Sequence, residues 1–350
     1  MKKLLITIAA TLNVLPVLAH EGADHTHAAP VADKKLPYVA SAWGELKFRD
    51  ATEYSLPADA ALAGYLKGNH GGSDVDPVTS ALYTTIGAKV IRFNTAAGAG
   101  VILSDDEKFG QGNFHGLAVV KGGEKPSFYF SDNSRHLVRH RDYADGTSFD
   151  LAPKADAVPY FDKAGKFNPT DVELHPKTGN PWAFDGYGSS LVFDVQDQKE
   201  VFGGKKQFST SHGGAFHKDK LVVCSRGSGE ICTLSLKGEI EERFLVLKGT
   251  NPCDIDFFGD YALVGCLKGP GANEAKYPGA PCYIYHWPTK KVVSVITPKG
   301  DFGHKNGQHI HNAAWWPQIV DGKVVKLFIA FSYWNPGDFK LVEVTGLPLK

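Results

Sequence analysis

The chain has 350 residues, with 38 lysines and arginines against 38 aspartates and glutamates, and 43% of its residues are apolar. A balanced charge removes the basic footprint that a nucleic-acid binder needs, so any partner must be recognised through local chemistry. The composition stands out in one respect, 14 histidines beside 1 methionine, and imidazole is the commonest protein metal ligand.

Met1-Lys2-Lys3 is a charged start, Leu4 to Leu18 is an apolar run too short to cross a bilayer comfortably, and Val17-Leu18-Ala19 ends it with a small-residue cleavage site. Residues 1–19 therefore read as a signal peptide. The mature chain is expected to begin at His20 in the periplasm, and no later run reaches the length of a membrane helix, so no membrane insertion is expected. Residues 20–36 form a second stretch without periodicity. His20, His25 and His27 lie there with Glu21 and Asp24, in a segment too small and polar to bury a core. Such a flexible arm suits transient metal capture, the alternative being a soluble spacer.

From Pro37 to the C-terminus the pattern is all-β. Apolar segments of a strand's length alternate with turns of Gly, Asp, Asn and Pro, and no helical period is sustained. The unit is clearest where Asp171-Val172-Glu173-Leu174, Pro181-Trp182-Ala183-Phe184 and Ser190-Leu191-Val192-Phe193-Asp194 succeed one another across short turns, with a fourth strand near Val201-Phe202. That is the grammar of a β-propeller blade. It recurs from Ser73, His115, His212, Cys253 and His311, which makes six repeats. Tyr38 to Ser41, Glu45 to Phe48 and Glu53 to Leu56 resemble the later strands of one more. The reading is a single propeller over residues 37–350, of seven blades with six as the alternative, closed by pairing of its N- and C-terminal segments.

Three repeats open in the same way, with Asn113-Phe114-His115-Gly116, Ser211-His212-Gly213-Gly214 and Gln308-His309-Ile310-His311-Asn312. His115, His212 and His311 fall about a hundred residues apart, in alternate repeats, so they should face one axis. Three imidazoles around a point make a zinc site with a fourth position open. His309, two residues before His311, would share its side of an extended strand. The intervening repeats offer Ser73, Thr170 and Cys253, each followed by an aspartate (Asp74, Asp171, Asp254) that could orient a ligating His. His70, in the loop Gly68-Asn69-His70-Gly71-Gly72, is a candidate rim ligand facing the arm. A lone His at a strand start is commonly just a turn residue; matched positions in alternate repeats are what argue for a shared site. Of the five cysteines, Cys224 and Cys232 flank a hairpin turn and Cys266 and Cys282 bracket a longer excursion, so both are paired as disulfides. Cys253 is left as either a buried small residue or a thiolate ligand.

The signal segment, the arm His20-Glu21-Gly22-Ala23-Asp24-His25-Thr26-His27, and a propeller carrying His115-Gly116, His212-Gly213-Gly214-Ala215 and His309-Ile310-His311 together resemble the AztD family of periplasmic zinc metallochaperones. The resemblance implies a β-propeller with more than one zinc site, and direct handover of zinc to the solute-binding protein of a zinc ABC transporter. An enzyme is the competing reading. Pro169-Thr170-Asp171-Val172 with Asp185-Gly186-Tyr187-Gly188 also resembles propeller lyases that cleave peptidyl-α-hydroxyglycine, where a three-His zinc works with a Tyr and an Arg. Tyr187 and Arg226 would take those parts. Against it stand the His-rich arm, which an enzyme does not need, and the lack of an acid–base pair that spacing alone places in the channel. A propeller serving only as an interaction platform leaves the alternating His unexplained.

Overall fold

Each repeat becomes a twisted antiparallel sheet, its short apolar strands joined in sequence by short turns, except for the longer excursion between Cys266 and Cys282. The computed structural model describes residues 38–40, 43–103, 112–154 and 167–349; the expected signal peptide and His-rich arm lie outside them. The described residues form six blades. The first comprises Ser73–Val75, Leu82–Ile86, Lys89–Phe93 and Val101–Ile102, and the second Phe114–Lys121, Ser127–Asp132, Leu137–Asp142 and Ser148–Leu151. The third spans Asp171–Gly203, the fourth Ser211–Leu245, the fifth Pro252–Ile296 and the sixth Ile310–Thr345. In every case the first strand lies innermost. No helix among the described residues is long and apolar enough to cross a membrane.

The ring closes at six because the segments read as the remains of a seventh blade are used elsewhere. Lys47–Asp50 pairs antiparallel with Asp338–Thr345 and supplies the fourth strand of the sixth blade, with Val39–Ala40 beyond it. Trp43–Gly44 adds an edge to the fifth blade, and Tyr54–Ser55 pairs in parallel with Gly98–Ala99. The closing seam carries a buried ion pair: Arg49 sits opposite Glu343 in register, bonds its carboxylate, and reaches Glu53 at 2.6 Å. A short helix, Ala60–Leu66, went unread because it holds a single buried apolar residue, Leu62. Asp59 caps it by accepting the amides of Ala61 and Leu62.

Each pair of neighbouring blades encloses its own apolar cluster. Phe114, Phe128 and Phe130 pack against Tyr83 and Val90 between the first two blades, and Leu46, Phe48, Ile284 and Ile329 join the last two. Cys224, Cys232, Cys266 and Cys282 belong to these clusters, and this overturns both predicted disulfides. Cys224 lies opposite Ile231, and Cys232 opposite Val223, one residue out of register. In a pleated sheet that offset sends the side chains to opposite faces. Cys224 accordingly joins the cluster toward the fifth blade and Cys232 the one toward the third. Cys282 pairs with Gly265 rather than Cys266, and the two thiols are again separated by the sheet. All five cysteines are free and buried.

Candidate metal centre

The innermost strands do not enter the channel as regular strands. Pairing breaks between Phe114 and Gly116, between Ser211 and Gly214, between Pro252 and Asp254, and between Ile310 and Asn312. A β-bulge re-aims the residue it leaves unpaired, and here those residues include His115, His212, Cys253 and His311. The backbones approach so closely that a Cβ on Gly116 would lie 2.4 Å from Asp171 Oδ1, and one on Gly213 2.6 Å from the Cys253 carbonyl oxygen. Glycine after the axial His is thus a spatial requirement in the second and fourth blades.

His115, His212 and His311 meet on the axis. Each presents a potential ligand atom within 4.8 Å of the other two, and ring centroids are 5.1, 4.3 and 4.9 Å apart. All three are buried, at 2%, 2% and 3% exposure. The Nδ1 of His115 donates to the Thr170 carbonyl at 2.5 Å and that of His212 to the Cys253 carbonyl at 2.9 Å. A carbonyl only accepts, so the ring proton sits on Nδ1 and each Nε2 keeps an unprotonated lone pair, with the Tyr187 hydroxyl 3.3 Å away. His311 has no partner at either nitrogen. Burial, followed by the nearby imidazoles and Arg226, holds all three well below the usual histidine pKa. They are neutral, which is the ligand form. An orphaned, buried imidazole beside two whose Nε2 atoms are unprotonated fits a borderline cation such as zinc.

Other candidate residues fall in different places. His70 lies over the trio, its ring 5.4 Å from His115, 5.1 Å from His311 and 5.5 Å from Trp334, with Nδ1 bonded to the Gly68 carbonyl at 2.7 Å. Its Nε2 is therefore the free nitrogen. His309 does not join the cluster. The bulge at His311 breaks the strand's alternation, so positions 309 and 311 no longer share a side, and His309 bonds the Trp334 and Asn335 carbonyls instead. Cys253 contributes its carbonyl; burial pushes its thiol up to about 11, so the sulfur stays protonated. Asp74, Asp171 and Asp254 do not orient the imidazoles. Asp74 accepts the amide of Val119 and Asp171 that of Gly214, while Asp254 accepts from Asn312, each joining its blade to the next. His20, His25 and His27 lie outside the described residues.

Tyr187 and Arg226 do stand at the trio. The Tyr187 hydroxyl is 3.3 Å from the Nε2 of both His115 and His212, and Arg226 donates to it at 3.4 Å while lying 5.1 Å from the ring centre. Burial raises the pKa of the phenol, which remains protonated at neutral pH. Sequence reasoning missed the carbonyl partners Thr170 and Cys253, because a backbone acceptor leaves no trace in residue type. It also missed Trp334 at the mouth.

No protein-family model matches this chain, and no curated protein matches it in sequence. Among solved structures it is similar to a catalytically inactive virginiamycin B lyase from Staphylococcus aureus with quinupristin, at 12% identity and a TM-score of 0.53, over 87% of this chain and 100% of the other. A streptogramin B lyase structure aligns over 78% of each chain at 12% identity, with a TM-score of 0.49. At such identity the first of these likenesses supports the propeller fold alone.

Proposed function

We propose that this propeller carries zinc as cargo, in the periplasm, and passes it to the solute-binding protein of a zinc ABC transporter. The observation behind the reading is the convergence of three neutral, buried imidazoles from alternate blades, one of them without any hydrogen-bond partner. A carrier must also release what it holds. His70 stacks over the trio from a loop, with one nitrogen tied to a backbone carbonyl and the other free, so it suits a ligand that engages and disengages during exchange. The arm residues His20, His25 and His27 supply further weak donors on a tether, which keeps their local concentration high while each contact stays weak. The test pairs zinc affinity, by chelator competition, with the transfer rate to a periplasmic zinc-binding partner. Deleting residues 20–30 should leave axial affinity nearly intact and slow transfer. An unchanged rate counts against the arm, and lost affinity would place the arm in the axial site.

A second reading is favoured by one specific observation, the Tyr187 hydroxyl set between two trio nitrogens with Arg226 beside it. In a lyase acting on peptidyl-α-hydroxyglycine, a resident zinc would supply Lewis-acid polarisation. Tyr187, protonated at neutral pH, would give its proton to the departing amide nitrogen as the C–N bond breaks and take up the substrate hydroxyl proton in exchange, leaving peptide amide and glyoxylate, with Arg226 holding the substrate carboxylate. Zinc-loaded protein incubated with such a peptide separates the two readings. Glyoxylate release that disappears in Tyr187→Phe establishes the lyase; zinc binding without turnover leaves the carrier.

A further inference from the structure

Each first strand starts at the imidazole trio and the strands of a blade alternate in direction. The connections between second and third strands, and those leading from one blade to the next, therefore lie at the trio's end of the ring. From the end of the third blade to the start of the sixth, these connections are residues 204–210, 226–229, 246–251, 267–281 and 297–309. They are rich in lysine. Lys205, Lys206, Lys248, Lys268, Lys276 and Lys305 stand exposed, with Lys299 partly covered, against two carboxylates, Glu274 and Asp301. Backbone bonds make the connections one continuous arc: the Arg226 amide donates to the Thr210 carbonyl at 2.9 Å, that of Asn251 to Lys268 at 3.0 Å, and that of Ala280 to Gly307 at 3.1 Å. Arg226 stands at the inner edge of the arc, against Tyr187 and hence beside the trio.

The two ends of the ring treat their lysines differently. At the end away from the trio, Lys199 pairs with Asp197 at 3.0 Å, and Lys218 with Asp260 and Lys290 with Glu242 at 3.2 Å. No lysine of the arc forms an ion pair with a described residue. Asp301 is engaged locally, accepting the Thr297 amide at 2.7 Å. Asp185, on which Lys205 acts electrostatically, is buried and accepts the amides of Asn168 and Ser189. In a chain with no net charge, one rim thus holds an excess of a single sign, and a field of that kind draws an oppositely charged partner. Apolar side chains stand within the same arc. Leu245 and Leu247 are 54% and 49% exposed, and Leu245 lies against Gly229 of the Arg226 turn. Exposed apolar groups rimmed by charge are the anatomy of a protein interface.

We propose that this arc is a docking surface for the acidic face of a folded protein, which it draws over the mouth of the trio. The identity of that protein, the solute-binding protein that receives the ion, rests on the carrier reading; the surface itself does not. Long-range attraction to the lysines raises the rate of encounter and fixes orientation, while Leu245 and Leu247 supply the apolar contact that holds the complex. The rim also acts on the ion. A ring of ammonium groups repels a free divalent cation, which disfavours escape through the bare mouth. Carboxylates of a docked partner neutralise the ring, so the path for the ion opens when a recipient is in place.

The probe is the metal-free solute-binding protein, and its association with the metal-free mature chain is followed by biolayer interferometry in salt from about 20 to about 300 mM, a span that screens exposed charges. The parent is compared with the triple variant Lys205→Glu, Lys248→Glu, Lys268→Glu, and with a control at the opposite end, Lys121→Glu, Lys177→Glu, Lys237→Glu. Association of parent and control should slow about tenfold or more across that span, and the arc variant should already be about tenfold slower at low salt, with little further dependence. No association by the parent, an association indifferent to salt, or equal losses in arc variant and control overturns the proposal. Tighter arc-dependent capture by phosphatidylglycerol vesicles than by the protein also overturns it, in favour of a lipid surface. Zinc transfer in the same forms is read separately. Salt-steered association without transfer keeps the arc and removes the carrier reading, whereas transfer at the parent's rate by the arc variant keeps the carrier and removes the arc. Should the arc variant fail to fold, Lys205→Gln, Lys248→Gln, Lys268→Gln should slow association about threefold, and an unchanged rate overturns the proposal.

Discussion

His311 is a fully enclosed imidazole with no partner at either nitrogen, an omission that costs about 1–3 kcal/mol per unsatisfied group. A bound cation would reverse that cost, so zinc should raise the unfolding midpoint of the parent more than that of His311→Ala. Each of His115→Ala, His212→Ala and His311→Ala should weaken zinc binding by more than the roughly 10–100-fold typical of losing an outer-sphere partner. His309→Ala should leave it unchanged; chelator competition reads both. Protonation of the trio competes with metal, and burial holds these rings well below their usual pKa. Zinc affinity should therefore stay level as pH falls from 8 to about 6.5, where an exposed histidine would already be failing, and decline only in more acid solution. The same titration repeated in half-unit steps tests it. At the cysteines, the absence of bridges predicts five thiols reactive toward a disulfide reagent after unfolding without reductant, and essentially none before.

At the scale of single strands, what positions the site is the bulge, and it was also what defeated part of the sequence reading. Matched His residues in alternate repeats are visible in the primary sequence because residue type and spacing survive there. A bulge adds one residue to one strand, and with a side-chain period of two that single step changes every inward residue to an outward one. Strict alternation therefore puts His309 beside His311, whereas the bulge leaves it on the carbonyls of Trp334 and Asn335. The same parity error paired Cys224 with Cys232 and Cys266 with Cys282, which are close in sequence and separated by the thickness of a sheet. The glycines beside the bulges give the corresponding prediction. Gly116→Ala and Gly213→Ala force a Cβ to within 2.4 and 2.6 Å of neighbouring atoms, and overpacking of that kind costs about 1–3 kcal/mol. Urea denaturation should show the loss, and zinc affinity should fall with it as the adjacent His is displaced.

For the whole molecule, the all-β propeller was readable from strand and turn punctuation, and the ring was expected to close through its ends. The strand count near residue 50 was not decisive, because a strand's sequence does not say which sheet it completes. Lys47–Asp50 has the same four residues whether it belongs to a blade of its own or finishes the last one. Closure instead depends on a specific pair. Arg49 and Glu343 are 6% and 8% exposed, and removing one partner of a buried pair leaves the other charge unpaired at a cost of about 3–5 kcal/mol. Arg49→Ala should thus lower stability by that amount in urea, far more than substitution of the exposed Lys199, whose ion pair with Asp197 lies in solvent.

The strand that seals the ring is synthesised long before its partner. Lys47–Asp50 can find no place until Asp338–Thr345 exists, and the axial trio draws its third member from that same final blade. Completion of the circle and completion of the imidazole set are therefore one event in time. A nascent or clipped chain lacking the sixth blade would offer two imidazoles and an open sheet edge, unable to hold its ion and recognisable as unfinished. Metal binding at the trio would then report that the sixth blade is in place.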